Sequence, residues 1–84
     1  MYQIEYSKQS IRALRRMPAN VAMLIRSKIE AVAQDPLGAQ GVKKLVGRDE
    51  YRLRVGDWRV LYFLDGQRLR VLVTEIGPRG GVYQ

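Results

Sequence analysis

Residues 50–62 read EYRLRVGDWRVLY, from Glu50 to Tyr62. Apolar and cationic side chains alternate up to Gly56-Asp57, and the alternation resumes at Trp58. A period of two belongs to a β-strand with unlike faces, and Gly-Asp between two such runs is a hairpin signal. The stretch therefore predicts two antiparallel strands. Burying one face of such a pair does not require Arg52, Arg54 and Arg59 so close together. They are either solvated surface or a site.

Register decides which side chains share a face. A two-residue loop at Gly56-Asp57 sets Val55 opposite Trp58, Arg54 opposite Arg59 and Arg52 opposite Leu61. Asp65-Gly66 is a second hairpin signal, and a two-residue loop there sets Leu64 opposite Gln67, Phe63 opposite Arg68, Leu61 opposite Arg70 and Arg59 opposite Leu72. One face then carries Tyr51, Leu53, Val55, Trp58, Val60, Tyr62, Leu69, Val71 and Val73 and builds the core. The other carries Arg52, Arg54, Arg59, Arg68 and Arg70, with Leu61, Phe63 and Leu72 among them. A loop one residue longer would invert a whole strand.

Two features of the second face favour a site. Opposed arginines repel, by a few tenths of a kcal/mol up to about one, so Arg54 opposite Arg59 is a poor purely structural choice. Guanidinium groups interleaved with apolar side chains also suit a phosphate backbone whose bases rest on neighbouring surfaces. A partner chain lying on the face, with arginines spread around it, fits the same pattern.

Upstream, Tyr2, Ile4 and Tyr6 alternate with Gln3 and Glu5 and predict a short strand. Ser7 caps a helix with Ile11 and Leu14 inward and Arg12, Arg15 and Arg16 outward. Met17-Pro18 breaks it, because the residue before proline is pushed out of helical geometry. A second helix runs from about Pro18 to Gln34, with Val21, Leu24, Ile25, Ile29 and Val32 inward and Arg26, Ser27 and Glu30 in water. Asp35-Pro36 ends it, and residues 36–49 read as a connecting loop. Three strand-like runs follow, near 50–56, 58–64 and 68–76. The expected fold is α+β, ordered β-α-α-β-β-β: an antiparallel sheet with an N-terminal helical hairpin packed on one face.

The chain of 84 residues is one domain, 1–84, near the lower size limit for a self-sufficient core. It contains no cysteine and no histidine, which removes disulfides, thiolate zinc sites and the usual proton shuttle near neutral pH. Acid–base chemistry is left to Tyr, Lys, Arg, Asp or Glu, and no cofactor or metal is expected. Fifteen Lys plus Arg against eight Asp plus Glu give a net charge of +7. Such a charge suggests a polyanionic partner such as nucleic acid or the ribosome, with an acidic protein or anionic membrane as further options. No apolar run reaches membrane-spanning length and Met1 opens directly on a strand pattern, so cytoplasmic residence is the expectation.

Taken in order, YQIEYSKQSIRALRRMP, the Asp-Pro after the second helix, KKLVG, YRLRVGDWRVLY and IGPRGGVY resemble the RelE group of the RelE/ParE toxin superfamily. The resemblance spans essentially the whole chain. It implies the small toxin fold, a cognate RelB-like antitoxin in a hetero-oligomer, and cleavage of messenger RNA in the decoding site of the ribosome. Arg52 and Arg54 match active-site lysines of a YKIKL-like segment, and Arg59 matches the arginine of a YRLVY-like one. Arg79 matches the arginine after the last strand, and Tyr83 a tyrosine assigned to proton transfer. On its residue physics alone a near-terminal tyrosine is a frayed or core-edge residue. The interval from Arg79 to Tyr83 is shorter than in some members. Lys43, Lys44, Arg48, Arg68 and Arg70 are expected to bind RNA around these catalytic candidates.

RNA supplies its own nucleophile, the 2′-hydroxyl beside the scissile phosphate. The protein must align it, take its proton and stabilise the charge on phosphorus. The resemblance implies that Arg54, Arg59 and Arg79 clamp the phosphate, Arg52 holds the leaving-group side and Tyr83 acts as base. A free tyrosine ionises near pH 10, and surrounding guanidinium groups would lower that value. Arginine is a poor proton donor, its pKa lying above about 12. The ParE branch implies the alternative, a DNA gyrase inhibitor without nuclease activity. A ribosome-independent ribonuclease and a basic RNA-binding domain without catalysis are the remaining alternatives.

Overall fold

The structure, a computed structural model, describes residues 1–78. Its elements are β1 (Gln3–Tyr6), α1 (Lys8–Arg16), α2 (Ala19–Gln34), β2 (Val42–Lys44), β3 (Tyr51–Val55), β4 (Trp58–Asp65) and β5 (Arg70–Pro78). The strands form one sheet in the order β1-β5-β4-β3-β2. The α+β class and the helical hairpin on one face are as the sequence predicts.

Local chemistry sets the helix ends. Ser7 leaves β1 with extended backbone, and its Oγ accepts the Ser10 amide at 3.1 Å while donating to the Thr74 carbonyl at 2.7 Å. One side chain thus caps α1 and ties it to β5. Met17, preceding proline, is extended at φ −91° and ψ 162°, which separates the helices. In α1 the buried residues are Ser10 and Leu14, continued by Met17 just past its end. Ile11, predicted inward, is 36 % exposed, because the small Ser10 takes the position facing the sheet. In α2, Ile25, Ile29, Val32 and Ala33 are buried, whereas Leu24, also predicted inward, is 50 % exposed. Its neighbour Ile25 points at the sheet instead.

Against these helices the sheet packs Leu53, Val55, Val60, Tyr62, Val71, Val73 and Ile76. The face away from the helices holds Arg52, Arg54 and Arg59.

Three features depart from the predicted sheet. Residues 36–49 are not all loop: Val42, Lys43 and Lys44 pair with Leu53, Arg52 and Tyr51. Three residues are too short a run for alternation to be read. The sheet is also not wholly antiparallel, since β1 runs parallel to β5, with Ile4 beside Val71 and Tyr6 beside Val73. Alternation marks a strand's faces and carries no information about its direction.

The third departure concerns the last hairpin. Asp65 pairs with Arg70 across a four-residue turn, in place of the two-residue loop. The Asp65 carboxylate accepts the Arg68 amide at 3.1 Å, and Leu69 takes φ 53°. The pairings predicted for Leu64, Phe63, Leu61 and Arg59 are replaced by Leu64–Val71, Phe63–Leu72, Leu61–Glu75 and Arg59–Gly77. Leu69, predicted in the core, lies in the turn and is 48 % exposed. The slip of four residues is even, so Val71 and Val73 keep their predicted face. A bulge between the Leu61 and Tyr62 pairings then leaves Thr74 without a register partner. Beyond it the alternation inverts: Ile76 enters the core and Glu75 turns to the arginine face.

Candidate functional site: the arginine face of the sheet

The face opposite the helices can be followed strand by strand. Lys43, Arg52, Leu61 and Glu75 form one transverse row across β2, β3, β4 and β5. Arg54, Arg59 and Gly77 form the next. Two like-charged pairs, Lys43–Arg52 and Arg54–Arg59, are thus directly opposed on adjacent rows. Each is unfavourable in isolation. Gly77, in register with Arg59, is buried and adds no side chain to this row. Leu61 beneath the rows is 1 % exposed yet lies outside the main core cluster.

The cations differ in how they are held. Arg54 is exposed, whereas Arg52 and Arg59 are half-buried. The Nε of Arg52 is buried and has no hydrogen-bond partner among the described residues. A buried donor of this kind costs about 1–3 kcal/mol unless something accepts from it.

The remaining basic residues separate into other environments. Arg48 forms a two-pronged ion pair with Glu50, at 2.9 and 2.6 Å. Lys44 lies on the other face of β2, its ammonium 5.6 Å from the Tyr51 ring centre and bonded to the Arg48 carbonyl. Arg70 shares the arginine face but lies at its other end, ion-paired with Glu5 and in register with Asp65. Phe63 and Leu72 separate it from the cluster. Arg68, predicted on this face, is in the turn with its side chain 77 % exposed. The predicted cationic face is therefore a cluster at the β2–β3–β4 side and a charge-balanced patch at the β1 side. Arg79 and Tyr83 lie outside the described residues.

Sequence reasoning missed Glu75. The alternation Val71, Val73 followed by Ile76 breaks parity by one residue, and that break was the available signal. A cavity of about 360 Å³ opens elsewhere, between α1 and the ends of β4 and β5, lined by Arg12, Arg16, Met17, Trp58 and Pro78 among others. None of the arginines of the rows lines it.

Tyr62 lies in the core, stacked on Tyr51 at 5.6 Å between ring centres. Its hydroxyl is buried without a hydrogen-bond partner among the described residues. Burial, then the neighbouring Tyr51, raises its pKa far above the usual tyrosine value, so this phenol stays neutral and is no base. Tyr6 is raised mainly by burial, with Arg26 over its ring opposing the shift.

A basic α+β domain with helices on one face of a five-stranded sheet and arginines on the other defines the class. The chain belongs to the family described as ParE toxin of type II toxin-antitoxin systems, which matches residues 4–83. It is similar to RelE toxins: the Methanocaldococcus jannaschii protein that bears the name RelE1 is 27% identical over 86 residues, covering 99% of this chain and 96% of the relative. The Pyrococcus horikoshii archaeal RelE–RelB complex contains a chain that superposes with a TM-score of 0.83 at 27% identity, over 95% of this chain and 97% of that one. A chain of the intact E. coli RelBE toxin–antitoxin complex gives 0.79 at 20% identity, over 93% and 96%, and shows the fold alone.

Proposed function

We propose that this toxin is a metal-independent endoribonuclease that cleaves messenger RNA in the decoding site of the ribosome and so inhibits translation. The observation that carries the reading is the opposed Arg54–Arg59 pair beside Gly77, next to the Lys43–Arg52 pair. Phosphate oxygens placed between opposed guanidinium groups relieve their repulsion and accept several charge-assisted bonds.

Arg54 and Arg59, with Arg79, clamp the scissile phosphate and stabilise the charge that develops on its oxygens. Arg52 holds the leaving-group side. Tyr83 removes the 2′-hydroxyl proton, the oxygen attacks phosphorus and the bond to the 5′-oxygen breaks. The departing 5′-oxygen takes up a proton from solvent, so the products are a 2′,3′-cyclic phosphate and a 5′-hydroxyl. Tyr62 has no part in this, since it sits in the core and resists ionisation. Orientation by the ribosome supplies what weak acid–base groups do not.

The partners of the reading are the ribosome with its message, in the cytoplasm, and a RelB-like antitoxin in a hetero-oligomer. Support for the antitoxin comes from the P. horikoshii chain, which is part of a toxin–antitoxin complex. The second reading, inhibition of DNA gyrase without nuclease activity, is favoured by the ParE description of the matching family. Primer extension on a translated message after brief induction separates the two. Codon-phased cuts within the reading frame support the nuclease. An intact message with arrested replication supports gyrase, and cleavage of naked RNA in the absence of ribosomes shows an independent ribonuclease.

A further inference from the structure

We infer that the arginine face holds two phosphate subsites in tandem, and that the second is a pocket lined by Lys43, Leu45, Val46, Arg48 and Arg52. This pocket takes the RNA phosphate next to the scissile one; the inference rests on the nuclease reading of the same face. Its volume is about 260 Å³, and none of the described residues that line it is acidic. Lys43 and Arg52 are in register on its β-strand side. Arg52 lines the pocket, and its buried Nε has no hydrogen-bond partner among the described residues.

The wall of the pocket is preorganised. Leu45 donates to the Glu50 carbonyl at 3.1 Å, the Lys44 ammonium bonds the Arg48 carbonyl, and Glu50 holds the Arg48 guanidinium. Residues 45–50 are thereby closed into a loop without help from Lys43 or Arg52. Lys43 itself forms no ion pair among the described residues and stays available. Val46 is 93 % exposed at the rim, an apolar surface on which a base can rest.

Spacing links the two subsites. Arg52 and Arg54 are two positions apart on one strand and on one face, about 7 Å along the backbone. That separation is comparable to the step between successive phosphates of an extended single strand. One row grips one phosphate, the next row grips its neighbour. Arg48, already neutralised by Glu50, adds lining and hydrogen-bond donors rather than net charge.

The test uses the full chain and two uncleavable probes, a dinucleotide and a trinucleotide of 2′-O-methyl RNA. Both lack the nucleophile, and they contain one and two phosphates. Arginine Nε–H resonances are followed by NMR during titration. Both probes are expected to shift Arg54 and Arg59, and the trinucleotide to bind about tenfold more tightly than the dinucleotide. Lys43→Ala, at an exposed strand position, should remove most of that tenfold advantage, weakening the trinucleotide far more than the dinucleotide. Equal affinity of wild type for the two probes, or equal weakening of both by Lys43→Ala, overturns the second subsite and leaves the first intact. Absence of any shift at Arg54 and Arg59 with either probe overturns the phosphate reading of the whole face.

Discussion

Arg59 is opposed by a second guanidinium on one side and by a glycine on the other. For a residue aimed at transition-state charge, truncation lowers the rate without harming the fold. Arg59→Ala should reduce single-turnover cleavage of ribosome-bound message by about 10²–10³-fold. Its melting temperature should stay close to wild type, and full toxicity in the variant would sink the assignment. Tyr62 tests the opposite kind of site, a buried hydroxyl with no chemistry to perform. Tyr62→Phe should leave stability at pH 7 unchanged or raised, by up to about 1 kcal/mol, because an unmatched hydroxyl leaves the core. The alkaline limb adds a sign. Its folded pKa lies above the ordinary 10.0, so the associated stability is intact below pH 10 and declines as pH rises through the folded value. Denaturant melts at pH 7 and pH 11 should therefore show a smaller alkaline loss in Tyr62→Phe than in wild type.

At the scale of elements, the seam between α1 and β5 governs whether the sheet keeps its shape at the site. β1 pairs with β5 only through Val73, and beyond that the edge of β5 is served by side chains. The Gln9 amide donates to the Ile76 carbonyl at 2.9 Å and accepts the Ile76 amide at 2.9 Å, imitating one residue of a strand. Ile76 follows Glu75, so the same seam stabilises the bulge that turns Glu75 outward. Gln9→Ala should cost about 1–3 kcal/mol, measured by urea denaturation, since two backbone groups lose their partners. Gln9→Glu keeps the acceptor and loses the donor, and should fall between the two; a loss as large as that of alanine would argue against the two-bond account.

For the molecule as a whole, charge and size set the behaviour. A net +7 on 84 residues favours association with polyanions, and on the nuclease reading the tandem rows set where RNA docks. Each phosphate engaged on a single strand contributes about 0.7 to the slope of log affinity against log salt. Lys43→Ala should lower that slope by roughly one contact, read by fluorescence anisotropy of a labelled RNA over a salt series. Glu75→Gln should raise affinity at low salt, because it removes the acidic charge from the Lys43–Arg52 row. An unchanged salt slope for Lys43→Ala would place the second phosphate elsewhere.

Much of this was legible in the chain. The period of two in residues 50–62, with Gly56-Asp57 between the runs, suffices to oppose Arg54 and Arg59, because a two-residue loop leaves a single register. Ser7 and Met17-Pro18 likewise mark helix ends through purely local chemistry. Other features depend on partners far along the chain. Val42–Lys44 becomes a strand only by pairing with β3, and that pairing puts Lys43 beside Arg52. The bulge at Thr74, the parallel strand β1 and the separation of Arg68 and Arg70 from the cluster arise from how strands register against one another. EYRLRVGDWRVLY by itself determined that the sheet has one apolar and one cationic face, since side-chain parity is a local property. Which cations share a row, and that Glu75 joins them, follows from register and a bulge, and those are set by packing across strands.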